Sequence, residues 1–110
     1  MSKKLAAKTL AIVTLLTTAS LGFGQPTNSS TSLYKTNCVA CHAQDGRGSA
    51  AGKSLHAADF HSAEVQRQSD AQLAGVISAG RGNMPAFGTR LTKDQIDGLV
   101  EYIRAVAKAK

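Results

Sequence analysis

The sequence predicts an all-α domain, and three observations carry that reading. Two segments open with a capping box and continue with apolar residues three and four apart. No segment shows the apolar–polar alternation of a half-buried strand with comparable quality, and no internal repeat is present. The 110 residues leave room for one small domain with a limited core.

Taken from the start, residues 1–24 read as a signal peptide. Lys3, Lys4 and Lys8 form a basic head, and an uncharged, largely apolar run follows from Thr9 to Leu21. Gly22 and Gly24 then offer small residues for cleavage before Gln25. The run is shorter than the about 20 apolar residues that span a bilayer, and it is rich in Thr. An uncleaved leader acting as an anchor is the alternative. Residues 25–110 would then be the mature domain, with 10 basic against 7 acidic side chains, a net +3. That modest charge, with no basic run interleaved with aromatics, argues against a nucleic-acid partner.

Gln25 to Ser32 is a polar run, expected to be flexible, and a short helix is expected from about Ser30 into Cys38. Its face would carry Leu33, Tyr34 and Asn37. Asp45 to Ser54, with Gly46, Gly48 and Gly52, reads as a loop, and the stretch from Lys53 to Phe60 as irregular or briefly helical. A capping box at Ser69–Gln72 opens the next helix, which carries Leu73, Val76 and Ile77 and can end at Gly80 in a left-handed conformation. A second box at Thr92–Gln95 opens the last, flanked by a Leu91–Ile96 staple. Its stripe runs through Leu99, Val100, Ile103 and Val106, with Lys108 near the C-terminus, where the helix dipole favours cations. The domain has no Trp, and its aromatics are Tyr34, Phe60, Phe87 and Tyr102, so a large apolar cofactor would complete the core.

Cys38-Val39-Ala40-Cys41-His42 is the strongest chemical signal. C-x-x-C-H attaches c-type haem: two thiols on one helical turn reach two vinyl groups on one porphyrin edge, and the next His presents a ring nitrogen to iron. A thiol–disulfide motif would sit in a βαβ setting that is absent here. Zinc would need four ligands, with only His56 and His61 left to complete a set. A disulfide between residues three apart would close a tiny loop and constrain little.

For the sixth iron position the candidates are Met84, His56 and His61. Met84 lies in a Gly- and Pro-rich loop between two helices, where Pro85 biases it to an extended shape. Its thioether is a soft ligand that raises the reduction potential, and the competing use is a core filler. His56 and His61 read as surface histidines, His61 as a possible cap. Arg81 and Arg47 are candidates to pair with haem propionates, against the simpler reading as solvated charges.

With Cys38–His42 followed by Met84-Pro85-Ala86-Phe87-Gly88 and then by Leu91-Thr92, Leu99-Val100 and Tyr102-Ile103-Arg104, the chain resembles a small class I cytochrome c of the short bacterial and photosynthetic type. The resemblance runs from about Ser30 to Ala107. It implies the cytochrome c fold: three to four helices around one covalently bound haem, with the first and last helices crossing. It implies thioethers at Cys38 and Cys41, His42 as proximal and Met84 as distal iron ligand. In that family an aromatic of the last helix, here Tyr102, packs on a Gly of the first, where this chain has Ser30. The family also often follows the haem motif with Gly-Pro, whose carbonyl holds the free nitrogen of the His ligand. Here Gly52 is followed by Lys53-Ser54, so a backbone carbonyl near these two is expected to take that place.

Both axial positions filled by protein point to a one-electron carrier rather than an enzyme; no acid–base constellation or second haem motif appears. The expected partners are transient donor and acceptor proteins, the protein a monomer, its compartment a bacterial periplasm, with membrane contact only through partners or a retained leader. The competing readings are a haem-based ligand sensor, an electron-transfer subunit of a larger oxidoreductase, and a thiol–disulfide oxidoreductase using the two cysteines.

Overall fold

A computed structural model describes residues 28–110. The signal-peptide reading of residues 1–24 and the cleavage before Gln25 lie outside the described residues.

Six helices follow in chain order: α1 Asn28–Asn37, α2 Val39–His42, α3 Ala50–Ser54, α4 Ala63–Gln66, α5 Asp70–Ala79 and α6 Lys93–Lys108. Among the described residues the only extended pairing is an isolated bridge between Arg81 and Met84. None of the described helices is long and apolar enough to cross a membrane. The three long helices are those that the sequence places; α2, α3 and α4 are single turns.

Both capping boxes form. The Ser69 hydroxyl accepts from the Gln72 N–H (3.1 Å) while Gln72 Oε1 accepts from the Ser69 N–H (2.8 Å). Thr92 and Gln95 exchange the same pair at 3.2 and 2.9 Å. Behind these caps Leu73 and Ile77 of α5 and Ile96, Leu99, Val100 and Ile103 of α6 are buried. Leu91, just before the second cap, packs against that core. Gly80 ends α5 at φ +75 and ψ 169, a positive-φ residue beyond the compact left-handed region.

Two expectations are corrected. The polar run does not stay irregular to Ser32, because α1 begins at Asn28. The segment Asp45–Ser54 is not all loop. Ser49 Oγ accepts the Gly52 N–H at 2.9 Å and donates to Ala40 O at 2.6 Å, so one hydroxyl caps α3 and ties it to α2. Gly52 has no side chain where one would fall 1.8 Å from the Cys41 carbonyl oxygen, which lets α3 lie directly on the haem-motif turn. The cap near His61 is Ser62, whose hydroxyl accepts from the Val65 N–H at 3.2 Å.

Helix α1 packs on α6, which packs in turn on α5. The crossing is close, by an exchange of roles between the helices. Ser30 is buried on α1, and the small residue facing it is Gly98 of α6, where a methyl would fall 2.5 Å from Ser30 Oγ. Tyr102 stacks instead on Tyr34, with centroids 4.4 Å apart. Arg104 closes the other side: its guanidinium donates to Asp70 Oδ1 (2.9 Å), Gln66 Oε1 (3.1 Å) and the Gln66 and Gln68 carbonyls.

Candidate functional site

The haem motif begins as a continuation of α1. The Cys38 N–H bonds Tyr34 O at 2.9 Å, and the Cys41 and His42 N–H groups both return to Cys38 O at 3.2 and 2.9 Å. That turn puts Cys38, Cys41 and His42 in the lining of a cavity that Met84 and the α5 residues Leu73 and Ile77 also line. Phe60, Leu99 and Ile103 complete its apolar lining, so the core of the domain is built around this space.

Three interactions hold His42. Its Nδ1 stands 3.3 Å from the Ala58 carbonyl oxygen. A carbonyl only accepts, so Nδ1 carries the proton and Nε2 keeps its lone pair. The Phe60 ring stacks on the imidazole at 4.6 Å with 25° between planes. Burial lowers the pKa of His42, with the Ala58 hydrogen bond acting the other way, and the ring stays neutral, the form a metal needs. The acceptor is thus Ala58 and not a carbonyl near Lys53 or Ser54. Helix α3 has already used the intervening residues: the Ala57 N–H bonds Gly52 O, and the chain then passes beneath His42.

Met84 is aimed by a tight turn. The Arg81 N–H bonds Met84 O (3.2 Å) and the Met84 N–H bonds Arg81 O (2.9 Å). The loop is then pinned to α5 through Phe87 N–H to Ile77 O and Gly88 N–H to Ser78 O. Gly80 makes this return possible, since a side chain there would lie 2.6 Å from Met84 O.

The other candidates separate. His56 lines the cavity at its exposed rim, in a positive-φ conformation at +61. It stands beside Leu55, the one exposed large hydrophobic among the described residues. The Leu55 carbonyl accepts from Asn83 Nδ2 at 3.3 Å and so links the two rims. His61 is turned away, with Nε2 2.8 Å from Asp45 O and Nδ1 3.4 Å from Arg47. Arg81 lines the cavity; Arg47 does not, and faces Asp59 at 3.8 Å. Sequence reasoning set Tyr34 and Phe60 among the aromatics that need an apolar cofactor to pack on, and both line the cavity; it missed Ala58 as acceptor.

The donor set fits a haem better than a bare metal or a dithiol centre. Among the described residues no three His, Cys, Asp or Glu side chains converge on a metal position. The cavity lining contains no carboxylate and one full charge, Arg81, on a largely apolar wall. Burial pushes the Cys38 thiol up to about 11, the reverse of the lowered pKa that activates a redox thiol. Two free, half-buried thiols, a neutral imidazole and a thioether around an apolar space suit a large flat macrocycle with its own metal.

Comparison with known proteins agrees. A family model described as cytochrome c oxidase, cbb3-type, subunit III matches residues 25–103. A cytochrome c6 of Microcystis aeruginosa is 30% identical over 77 residues, covering 70% of this chain and 93% of its own. A cytochrome c6 of Gloeothece citriformis is 35% identical over 72 residues, 64% of this chain and 63% of the relative. Among solved structures, one described as the KustC0563 c-type cytochrome superposes with a TM-score of 0.66. It is 32% identical, and the match covers 70% of this chain and 95% of that one.

Proposed function

The chain belongs to the mono-haem cytochrome c family and carries one covalently attached c-type haem, and we propose that it is a one-electron carrier with Cys38 and Cys41 as thioether attachments and His42 and Met84 as axial ligands. The observation that carries this reading is the convergence of all four side chains on one apolar cavity. When bound, the haem supplies a one-electron couple at its iron. The chain's own residues do the rest. Ala58 O keeps the His42 proton on Nδ1 and leaves Nε2 as the ligand atom. The Arg81–Met84 turn would hold the thioether in the cavity lining, and Leu73, Ile77, Leu99 and Ile103 make that lining apolar and would keep water from the haem. His42 and Met84 would together hold the haem iron and would leave no place on it for a substrate, which separates a carrier from an enzyme or a ligand sensor. The protein is exported to a periplasm and meets donor and acceptor proteins transiently.

The test is the oxidised and reduced spectrum of protein made with haem-attachment machinery, before and after acid–acetone extraction. Haem that resists extraction, with a sulfur-to-iron charge-transfer band that disappears in Met84→Ala, is the expected result. Extractable haem refutes the thioethers, and a band unchanged by Met84→Ala refutes the distal ligand. A second reading, an electron-transfer subunit of a larger oxidoreductase, is favoured by the description of the matching family model. Stable co-purification with a membrane complex would select it.

A further inference from the structure

Tyr34 is among the most buried residues described, at 1% exposure, and its ring lines the cavity wall. Packing accounts for the ring, which stacks on Tyr102 and meets Phe60 edge-on at 6.2 Å. It does not account for the hydroxyl. A phenol in an apolar core costs free energy unless it finds a partner. This one donates to the Ala43 carbonyl oxygen at 2.6 Å. Ala43 is the residue immediately after His42, and it sits at φ +60 and ψ 170, a conformation that alanine avoids. The same carbonyl accepts a longer bond from the Gly46 N–H at 3.3 Å, and the Ala43 N–H is spent on Val39 O at 2.9 Å.

We propose that Tyr34 is a positioning residue for His42: its hydroxyl holds the strained Ala43 peptide and so fixes the backbone from which the imidazole reaches both the haem iron and Ala58 O. This rests on His42 as the axial ligand. With the hydroxyl removed, the short bond to Ala43 O is gone and Gly46 alone restrains it. Ala43 is then free to relax toward negative φ, which turns the His42 carbonyl side of the peptide. The 3.3 Å contact from Nδ1 to Ala58 O has little slack and lengthens first. A weaker Nδ1–H bond makes the ligand less basic and favours the reduced state.

The experiment uses the haem-loaded protein and compares wild type, Tyr34→Phe, Tyr34→Phe with Ala43→Gly, and Val100→Ala. Val100 is buried on α6 outside the cavity lining, and its truncation serves as a purely structural loss. Two quantities are read: solvent exchange of the His42 Nδ1 proton by NMR, and the reduction potential. In Tyr34→Phe the proton should exchange roughly five- to tenfold faster, the factor that one net hydrogen bond sets, and the potential should rise. Val100→Ala should lower the unfolding midpoint and move neither. Ala43→Gly removes the resistance to positive φ, so in the double variant both quantities should return toward wild type. Tyr34→Phe that loses stability as Val100→Ala does, with Nδ1 exchange and potential unchanged, overturns the proposal. So does a double variant that shows no recovery. Failure of the underlying assignment shows separately: wild-type protein would then lack paramagnetically shifted His42 ring resonances before any substitution is made.

Discussion

Gly52→Ala reverses the usual sign of a helix substitution. In a helix interior, alanine is better than glycine by about 1 kcal/mol, and Gly52 has ordinary helical neighbours in α3. Its added methyl, however, would lie 1.8 Å from Cys41 O, 2.6 Å from Cys41 C and 2.9 Å from Cys41 Cα. All three are backbone atoms of the haem-motif turn, so no side-chain rotation relieves the overlap. Helix α3 must retreat by more than an ångström, and the retreat stretches the bonds of Ser49 to Ala40 O, Cys41 O and the Gly52 N–H. Overpacking of this kind costs about 1–3 kcal/mol, and a lost cap adds about 0.5–2 kcal/mol. Set against the propensity gain, the net is about 2 kcal/mol of destabilisation, or a melting temperature lower by roughly 8–16 °C for a domain of this size. Thermal unfolding of the haem-loaded protein, followed by far-ultraviolet circular dichroism, measures it. The matched control is Gly75→Ala on α5, where an added methyl meets nothing within 4 Å and should stabilise by about 0.5–1 kcal/mol. Equal stability of Gly52→Ala and wild type would refute the close approach of α3 to Cys41.

Gly98→Ala should destabilise by at most about 2 kcal/mol, since the overlap with Ser30 Oγ costs about 1–3 kcal/mol and helix propensity returns about 1 kcal/mol. In a Ser30→Ala background the cost should shrink, and denaturant midpoints of the four variants give the coupling; additive effects would contradict a direct contact. The lowered pKa of His42 has a pH signature. The unfolded chain takes up the proton near about 6.5 and the folded chain only at lower pH. The stability this represents is therefore complete above the unfolded value and lost as pH falls through the folded one. In protein prepared without haem, unfolding midpoints should decline as the pH falls below about 6.5, and a flat profile there contradicts the buried neutral ring.

Helices α5 and α6 were legible because each announces itself twice, by a side-chain cap and by a buried stripe. Ser69 and Thr92 start α5 and α6, and Leu73, Ile77, Leu99 and Ile103 continue them. Helix α3 has only the cap: Ala50-Ala51-Gly52-Lys53-Ser54 presents no apolar period, and three glycines nearby read as loop. The haem motif stood out because two cysteines and a histidine are rare and their spacing is local; Met84, proposed as the second ligand, stood out by its Gly- and Pro-rich loop. The acceptor for His42 was not, since every residue has a carbonyl and only the path of the chain after α3 selects Ala58. The helix crossing shows the same limit. A small residue was needed at that contact, and Gly98 supplies it from the opposite helix, which is visible only in three dimensions.

The seat of Gly98 against Ser30 joins the first described helix to the last, across most of the domain. Contacts so distant in sequence are slow to form, because a long loop must close before they contribute anything. A nascent chain therefore offers Tyr34 and Leu33 without their cover until α6 has been made, and a chain truncated before Ile96 never acquires it. The fold thereby checks synthesis as far as its last described helix: only a chain that already includes α6 can bury the Tyr34 ring beside its own cysteines.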